Sequence, residues 1–360
     1  MSIRHGKKRV GRIVLQSLAI VLITLILAEI AFRVYDHAVP SAVFYKDSYN
    51  RFRGRPFAQD WDFKLNAYGF KDQAFSQQKG SAYRILGIGD SFAFGVVPYK
   101  HNYLTLIEEE LRQQGLDLEI YNMGIPGAGP KDYLSLLVHE GLDFDPDMVL
   151  VSFFVGNDFS DSRRRKLYDY SYLASFFRYS ANLGKTHQGR IFHPQAEYCD
   201  HCPAFPPEEF LKIESKKSFL LVENDPRFDR LFDNALHYLT RIRDLCQNRG
   251  IALVVLIIPD ELQVNRQLRR ELRESYYPNL APGTWDSSLP NRRLAERLAA
   301  LGIAHLDLYP PLSEATDRRL YRERDTHWNI EGNRFVANIV TAYLGEYLRK
   351  PENPTPSIAR

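Results

Sequence analysis

The sequence predicts an α/β protein: a three-layer α/β/α body with a central parallel sheet, preceded by one N-terminal transmembrane helix. Three observations carry that expectation. Short continuous apolar runs alternate with helical stretches over most of the chain, the chemically distinctive residues fall where those runs end, and a long apolar run lies near the N-terminus. With 44% hydrophobic and 13% aromatic residues in 360, a packed core is expected and disorder is excluded for most of the chain.

The N-terminal elements come first. Arg4, Lys7, Lys8, Arg9 and Arg12 precede any acidic residue. They form a basic segment over 1–12, followed by a nearly continuous apolar run from Ile13 to Phe32 that is long enough to cross a bilayer. The run exceeds a usual signal-peptide core and no small-x-small cleavage site follows it, so residues 13–33 read as an uncleaved signal anchor. By the positive-inside rule the N-terminus is cytoplasmic and the body extracytoplasmic, in a periplasm or at a cell surface. Glu29 and Arg33, four apart, can pair on one helix face. The basic flank supplies much of the net charge of +3, so charge gives no reason to expect nucleic acid as a partner.

Residues 34–80 read as a connector in which Asn66-Ala67-Tyr68-Gly69-Phe70 forms a turn with an aromatic anchor. The body spans 81–349. Its strands are expected at Ile85 to Ile88, Leu118 to Tyr121, Met148 to Val155, Ala252 to Ile258 and Ile303 to Leu306. Helical periodicity covers Tyr103 to Gln114, Lys131 to Glu140, Phe228 to Asn248, Arg292 to Leu301 and Ile330 to Arg349. Residues 159–225 break the alternation and read as an insertion. A basic run, Arg163 to Lys166, opens it, and Tyr168, Tyr170, Tyr172, Phe176, Phe177 and Tyr179 follow. That stretch is either a surface helix packing its rings on the core or a cap over an acyl chain or glycan. The tail 350–360 is Pro-rich and expected to be disordered.

Gly89-Asp90-Ser91 stands at a strand-to-helix junction, where a serine can be exposed as a nucleophile. An alcohol needs a base to take its proton, an acid to orient that base, and donors for an oxyanion. Asn122-Met123-Gly124 follows the second strand, Gly156-Asn157-Asp158 follows the third, and Asp325-Thr326-His327-Trp328 lies near the C-terminus. Ligands in parallel α/β sheets bind at the carboxyl ends of strands, which is where Ser91, Gly124 and Asn157 are placed.

These four signals, in this order, resemble the SGNH (GDSL-type) hydrolase family over roughly residues 81 to 348. The resemblance implies a flavodoxin-like three-layer fold, with Ser91 as nucleophile, His327 as general base and Asp325 as orienting acid. It implies an oxyanion hole from the Ser91 and Gly124 N–H groups and the Asn157 amide. No cofactor is expected, and no metal, because no second histidine stands at useful helical spacing from His327 and Asp325. The family commonly spaces acid and histidine as Asp-x-x-His, whereas here Arg324 stands three before His327 and the acid is Asp325. The Asp-x-His-Trp arrangement is similar to the acid/base element of alginate O-acetylation proteins. In the third block Gly156 abuts Asn157, so only the asparagine's role carries over. Asp307, after the last strand run, is the rival acid or a turn residue.

Three cysteines leave two readings. Cys199-Asp200-His201-Cys202 closes a local disulfide in an oxidising compartment, or binds zinc with His187, His193 or His201. Cys246, within a helix, reads as an ordinary buried thiol.

The expected reaction is hydrolysis of a carboxylic ester through an acyl-enzyme. The substrate is an acyl ester or acylated glycan. The alternative is O-acyl (O-acetyl) transfer onto a cell-surface polysaccharide, with the acyl group supplied by a membrane partner protein. A non-catalytic envelope scaffold is the third reading.

Overall fold

A computed structural model describes residues 2–38, 54, 56–161, 171–174, 177 and 197–350, without the side chains of 2–10, 35–38 and 161. The basic N-terminal side chains through Arg9, the run Arg163 to Lys166, Tyr168, Tyr170, Phe176, Tyr179, His187, His193 and the tail from Pro351 lie outside that description. The chain divides into two compact units: Met1–Asp47 with Arg164–Thr186, and Ser48–Arg163 with His187–Arg360.

The first unit is built on α1 (Ser2–Ala38). Within it, Gly11–Val34 is long and apolar enough to cross a membrane and is not buried by the protein, as suits an anchor or a signal sequence. Glu29 interrupts this apolar surface, and its carboxylate is fully engaged. It accepts from Arg33 Nε (2.9 Å), Ser171 Oγ (2.9 Å) and the N–H groups of Tyr172 (3.1 Å) and Leu173 (2.9 Å). The Arg33 guanidinium also lies over the Tyr172 ring at 4.7 Å.

The second unit holds a five-stranded, all-parallel sheet. Beside it lies a short antiparallel hairpin, β1 (Gln59–Asp60) and β2 (Phe63–Lys64). The sheet strands are β3 (Tyr83–Gly89), β4 (Leu118–Asn122), β5 (Met148–Phe154), β6 (Ala252–Ile258) and β7 (Ala304–Asp307). Their spatial order is β4-β3-β5-β6-β7. The order reverses between β3 and β5, so a crevice opens at their carboxyl ends, the place where doubly wound sheets bind ligands.

Alternation along the strands builds two cores. Leu86, Ile88, Val149, Val151, Val255 and Ile257 face α4 (Pro130–His139), α7 (Pro226–Arg249) and α10 (Leu289–Ala300). Ile85, Met148, Leu150, Val254 and Leu256 face α2 (Ser91–Phe94), α3 (Tyr103–Gln113) and α12 (Ile330–Arg349). Both faces are therefore dry, which is why the strands read as mainly apolar runs.

The stretch expected to be a connector is part of this unit from Ser48 onward. Phe70 is buried in the core and Asn66 Oδ1 closes the turn by accepting from the Tyr68 and Phe70 N–H groups (both 3.0 Å). The second half of the insertion is also built in. Here α6 (Pro207–Ser215) buries Phe210 against Leu221 and Leu262, and against Leu268 and Leu272 of α9 (Arg266–Tyr276).

Candidate active site

Ser91 opens α2, a helix of only four residues, directly after β3. Asp90 fixes the turn: buried at the N-cap, its Oδ1 accepts the Phe92 N–H at 2.8 Å. Burial pushes the Asp90 carboxyl up, against the lowering influence of Phe92 N–H, His327 and Asn157. So short a helix cannot satisfy its own last carbonyls. Side chains from three other segments do so. Asn102 Nδ2 donates to Ala93 O (2.9 Å) and Phe94 O (3.0 Å), Asn122 Nδ2 to Ala93 O (2.7 Å), and the buried Lys71 ammonium to Gly95 O (2.9 Å). Gly95, at φ +82°, ends the helix in a conformation that disfavours a side chain.

The histidine expected to be the base comes from the far end of the chain. His327 Nε2 lies 2.7 Å from Ser91 Oγ, and His327 Nδ1 lies 2.6 Å from Asp325 Oδ1. Asn329, two residues on, caps α12 by accepting the Gly332 N–H at 2.7 Å, so the acid–histidine loop is tied to a twenty-residue helix. Phe92 packs against both the His327 ring (5.2 Å between centroids) and Trp328 (4.8 Å). Asp325 is buried, which by itself raises a carboxyl; His327 and Arg322 outweigh burial and hold it below its ordinary value. The two-residue spacing is met by a turn at Arg324, whose φ is +48°.

The donors expected for an oxyanion differ in their state. As the first residue of α2, Ser91 presents an N–H with no acceptor inside the helix. The Gly124 N–H donates to Asn122 Oδ1 at 2.9 Å. A Cβ on Gly124 would sit 2.2 Å from Phe94 N and 2.5 Å from Ala93 C, so this glycine lets the loop after β4 lie against the backbone of α2. Asn157 follows β5. Its loop is held by Asp158, whose carboxylate accepts the Tyr133 hydroxyl (2.9 Å) and the Phe154 N–H (3.0 Å). Asn157 Oδ1 is buried without a hydrogen-bond partner, and its side chain lies against the Asp90 carboxyl, favouring the charged form there.

The structure thus brings Ser91, His327 and Asp325 into one hydrogen-bonded line. Asp307 is elsewhere: it closes β7, accepting from Asn291 Nδ2 (2.7 Å) and the Tyr309 N–H (2.9 Å). Cys199 and Cys202 are joined in a disulfide, Cα atoms 5.4 Å apart, and Cys246 is a buried free thiol. Among the described residues no group of three or more His, Cys, Asp or Glu side chains gathers as metal ligands.

Sequence reasoning missed the supports. Lys217 Nζ reaches Glu214 (2.8 Å), Asp260 (2.7 Å) and Thr326 Oγ1 (3.3 Å), anchoring the residue between the acid and the histidine to the end of β6. Arg322 Nη1 donates to Asp325 Oδ2 at 2.9 Å. The spacing Arg-x-x-Asp-x-His was the one available signal for the latter. A cavity of about 800 Å³ borders Leu211, Arg266, Arg322 and Arg324 but touches none of Ser91, Asn157 and His327.

The family model described as SGNH hydrolase-like domain, acetyltransferase AlgX, matches residues 220–355, a span that holds Asp325 and His327 and excludes Ser91, Gly124 and Asn157. No curated protein matches the chain in sequence. Among solved structures, a GDSL-like lipase from Bacteroides thetaiotaomicron is 11% identical, with 76% of this chain and 93% of that one covered at a TM-score of 0.40. The lipase/acylhydrolase from Enterococcus faecalis is 15% identical, with 75% and 98% covered at 0.38. The family match falls on the acid–histidine element of this fold; over residues 220–355 the chain is similar to an SGNH hydrolase-like domain, and the match supports an ester-acting enzyme.

Proposed function

We propose that the chain is a serine-dependent ester hydrolase of the SGNH type, working outside the cytoplasmic membrane to which α1 anchors it. The observation that carries this reading is the line Ser91 Oγ, His327 Nε2, His327 Nδ1, Asp325 Oδ1, with hydrogen-bond distances of 2.7 and 2.6 Å. In the reaction, His327 takes the Ser91 proton as Oγ attacks the ester carbonyl, and Asp325 stabilises the imidazolium. The oxyanion is met by the Ser91 N–H, the Asn157 amide and the Gly124 N–H, the last of which must share or release its bond to Asn122. His327 returns the proton to the departing alcohol, leaving an acyl group on Ser91. Water, deprotonated by His327, then releases the acid and restores the serine.

A second reading replaces water by a sugar hydroxyl, giving O-acetyl transfer to a cell-surface polysaccharide. The match to the acetyltransferase family model over the acid–histidine segment favours it. A membrane protein would then supply the acyl group. Product analysis with a generic acetyl ester, with and without oligosaccharide acceptors, separates the two. Free acetate formed at an unchanged rate when acceptor is added supports hydrolysis, and acetylated sugar formed at its expense supports transfer. Turnover by Ser91→Ala would overturn both.

A further inference from the structure

We infer that Arg322 is a positioning residue for the acid of the triad: its guanidinium, seated on the Tyr198 ring, fixes the Asp325 carboxylate that orients His327. The inference rests on the roles proposed above for Ser91, His327 and Asp325. Asp325 Oδ1 is taken by His327, through Nδ1 at 2.6 Å and the backbone N–H at 3.2 Å. Oδ2 is met by Arg322 Nη1 at 2.9 Å. The two side chains are only 11% and 4% exposed, so water is a poor substitute for this partner. Without the guanidinium, a buried carboxylate oxygen is left unsatisfied. The carboxyl then turns toward another donor or takes a proton, and either change ends its hold on the imidazole. Arginine suits this position because its planar cation does not lose its proton.

Arg322 is itself held on three sides. Its backbone N–H donates to His327 O at 2.9 Å, beside the Tyr321–Trp328 bridge, which locks the two ends of the acid–histidine loop together. Its guanidinium carbon lies 5.5 Å from the Tyr198 ring centroid. That ring is fixed in turn: the Tyr198 hydroxyl donates to Asp200 Oδ1 at 2.6 Å, and the same oxygen accepts the Ile330 N–H at the start of α12 (3.0 Å). Trp61 packs edge-on against Tyr198 at 5.1 Å, and the Cys199–Cys202 disulfide closes the turn directly after it. The disulfide segment thus reaches the triad through one ring and one cation, which gives it a part in the reaction without contact with substrate.

The test uses the full-length protein in detergent with a fluorogenic acetyl ester, comparing Ser91→Ala, Asp325→Asn, Arg322→Met, Arg322→Lys and the double variant Arg322→Met/Asp325→Asn. Arg322→Met is expected to lower kcat by about 10–100-fold, the scale of a misplaced catalytic group, with KM nearly unchanged. Arg322→Lys, which keeps the charge but not the flat seat on Tyr198, should fall between. In the Asp325→Asn background the Arg322→Met change should cost no more than about twofold, because its route is already cut. A wild-type kcat in Arg322→Met, or the same fold loss in both backgrounds, overturns the inference while leaving the triad standing. Turnover by Ser91→Ala instead removes the triad reading and the inference with it. Should Arg322→Met fail to fold, Tyr198→Leu in the same two backgrounds reads the same path: loss confined to the Asp325 background supports it, and equal loss in both overturns it.

Discussion

His327 Nε2 and Ser91 Oγ lie 2.7 Å apart although 236 residues separate them. The contact exists because two rigid elements are brought to the carboxyl end of the sheet. Ser91 rides on a helix whose carbonyls are satisfied by Asn102, Asn122 and Lys71, and His327 stands just ahead of the cap of α12. Neither side chain depends on a free loop for its position, which suits a site that must hold its geometry through two chemical steps.

Ser91→Ala should therefore abolish turnover and leave the fold intact, with a loss of several orders of magnitude in rate. A fluorophosphonate probe should label the wild type and spare the variant. Labelling that persists would point to a different nucleophile.

Asn157→Ala and Gly124→Ala are expected to fail in different ways. Losing one oxyanion donor at 157 should slow the chemical step by about 10²–10³-fold with little change in melting temperature. A methyl group at 124 meets the backbone of α2 at 2.2 Å, so that variant should lose about 1–3 kcal/mol of stability as well as activity. Thermal melts beside kcat separate the two cases, and an unchanged kcat in Asn157→Ala would remove that residue from the site.

Asp325→Asn should be far more damaging than Asp307→Asn. The first loses the carboxylate bonded to His327 Nδ1, a change expected to cost about 10⁴-fold in kcat. The second weakens contacts to Asn291 and the Tyr309 N–H, at about 1 kcal/mol of stability. Equal kinetic losses in the two variants would undo the assignment of the acid.

Much of this arrangement is legible in the sequence, and what is hidden follows a pattern. Strands buried on both faces announce themselves as apolar runs, as Met148 to Phe154 does with Ser152 alone interrupting it, and the turn residues after them carry the chemistry. Helix α9 gives a narrow signal that is easily passed over, two buried leucines four apart at 268 and 272, because the rest of Arg266–Tyr276 is mostly charged and faces outward. Residues 56–80 read as a connector since they lack a long apolar run. Their contribution is instead a few buried polar contacts, such as Asp72 Oδ2 accepting the Asn122 N–H at 2.6 Å. Such contacts join residues distant in sequence and have no period. For the same reason Lys217, which braces the acid–histidine loop through Asp260 and Thr326, 43 and 109 residues further on, could not be found by spacing.

Stability should fall as pH rises across the neutral range, in part through Glu261. Burial pushes its carboxyl up to about 8 from an ordinary 4.5. The folded protein thus holds this proton more tightly than the unfolded chain. Its stabilising contribution is complete below 4.5 and is lost as pH rises through about 8. Asp72, raised by burial to about 7, acts in the same direction, whereas Asp325, held low, contributes stability that is lost only in acid. Glu261→Gln should flatten the decline in melting temperature between about pH 5 and about pH 9. An identical slope in wild type and variant would show that Glu261 does not carry it.

The full chain should fractionate with membranes, and protease added outside an intact cytoplasmic membrane should digest the body. The basis is the exposed apolar surface of Gly11–Val34 and the basic residues that precede it. Glu29 sharpens the test. A charge within a spanning helix costs about 2.5–3.5 kcal/mol on insertion scales, and here Arg33, Ser171 and the N–H groups of Tyr172 and Leu173 offset that cost. Glu29→Ala should accordingly leave membrane association intact, since it removes the charge, while freeing the turn at Tyr172 that the carboxylate had capped. Limited proteolysis should then cut faster around Tyr172 in the variant than in the wild type. Recovery of the wild-type chain in the cytosolic fraction would sink the topology, and unchanged cleavage in Glu29→Ala would show that the carboxylate does not hold the segment.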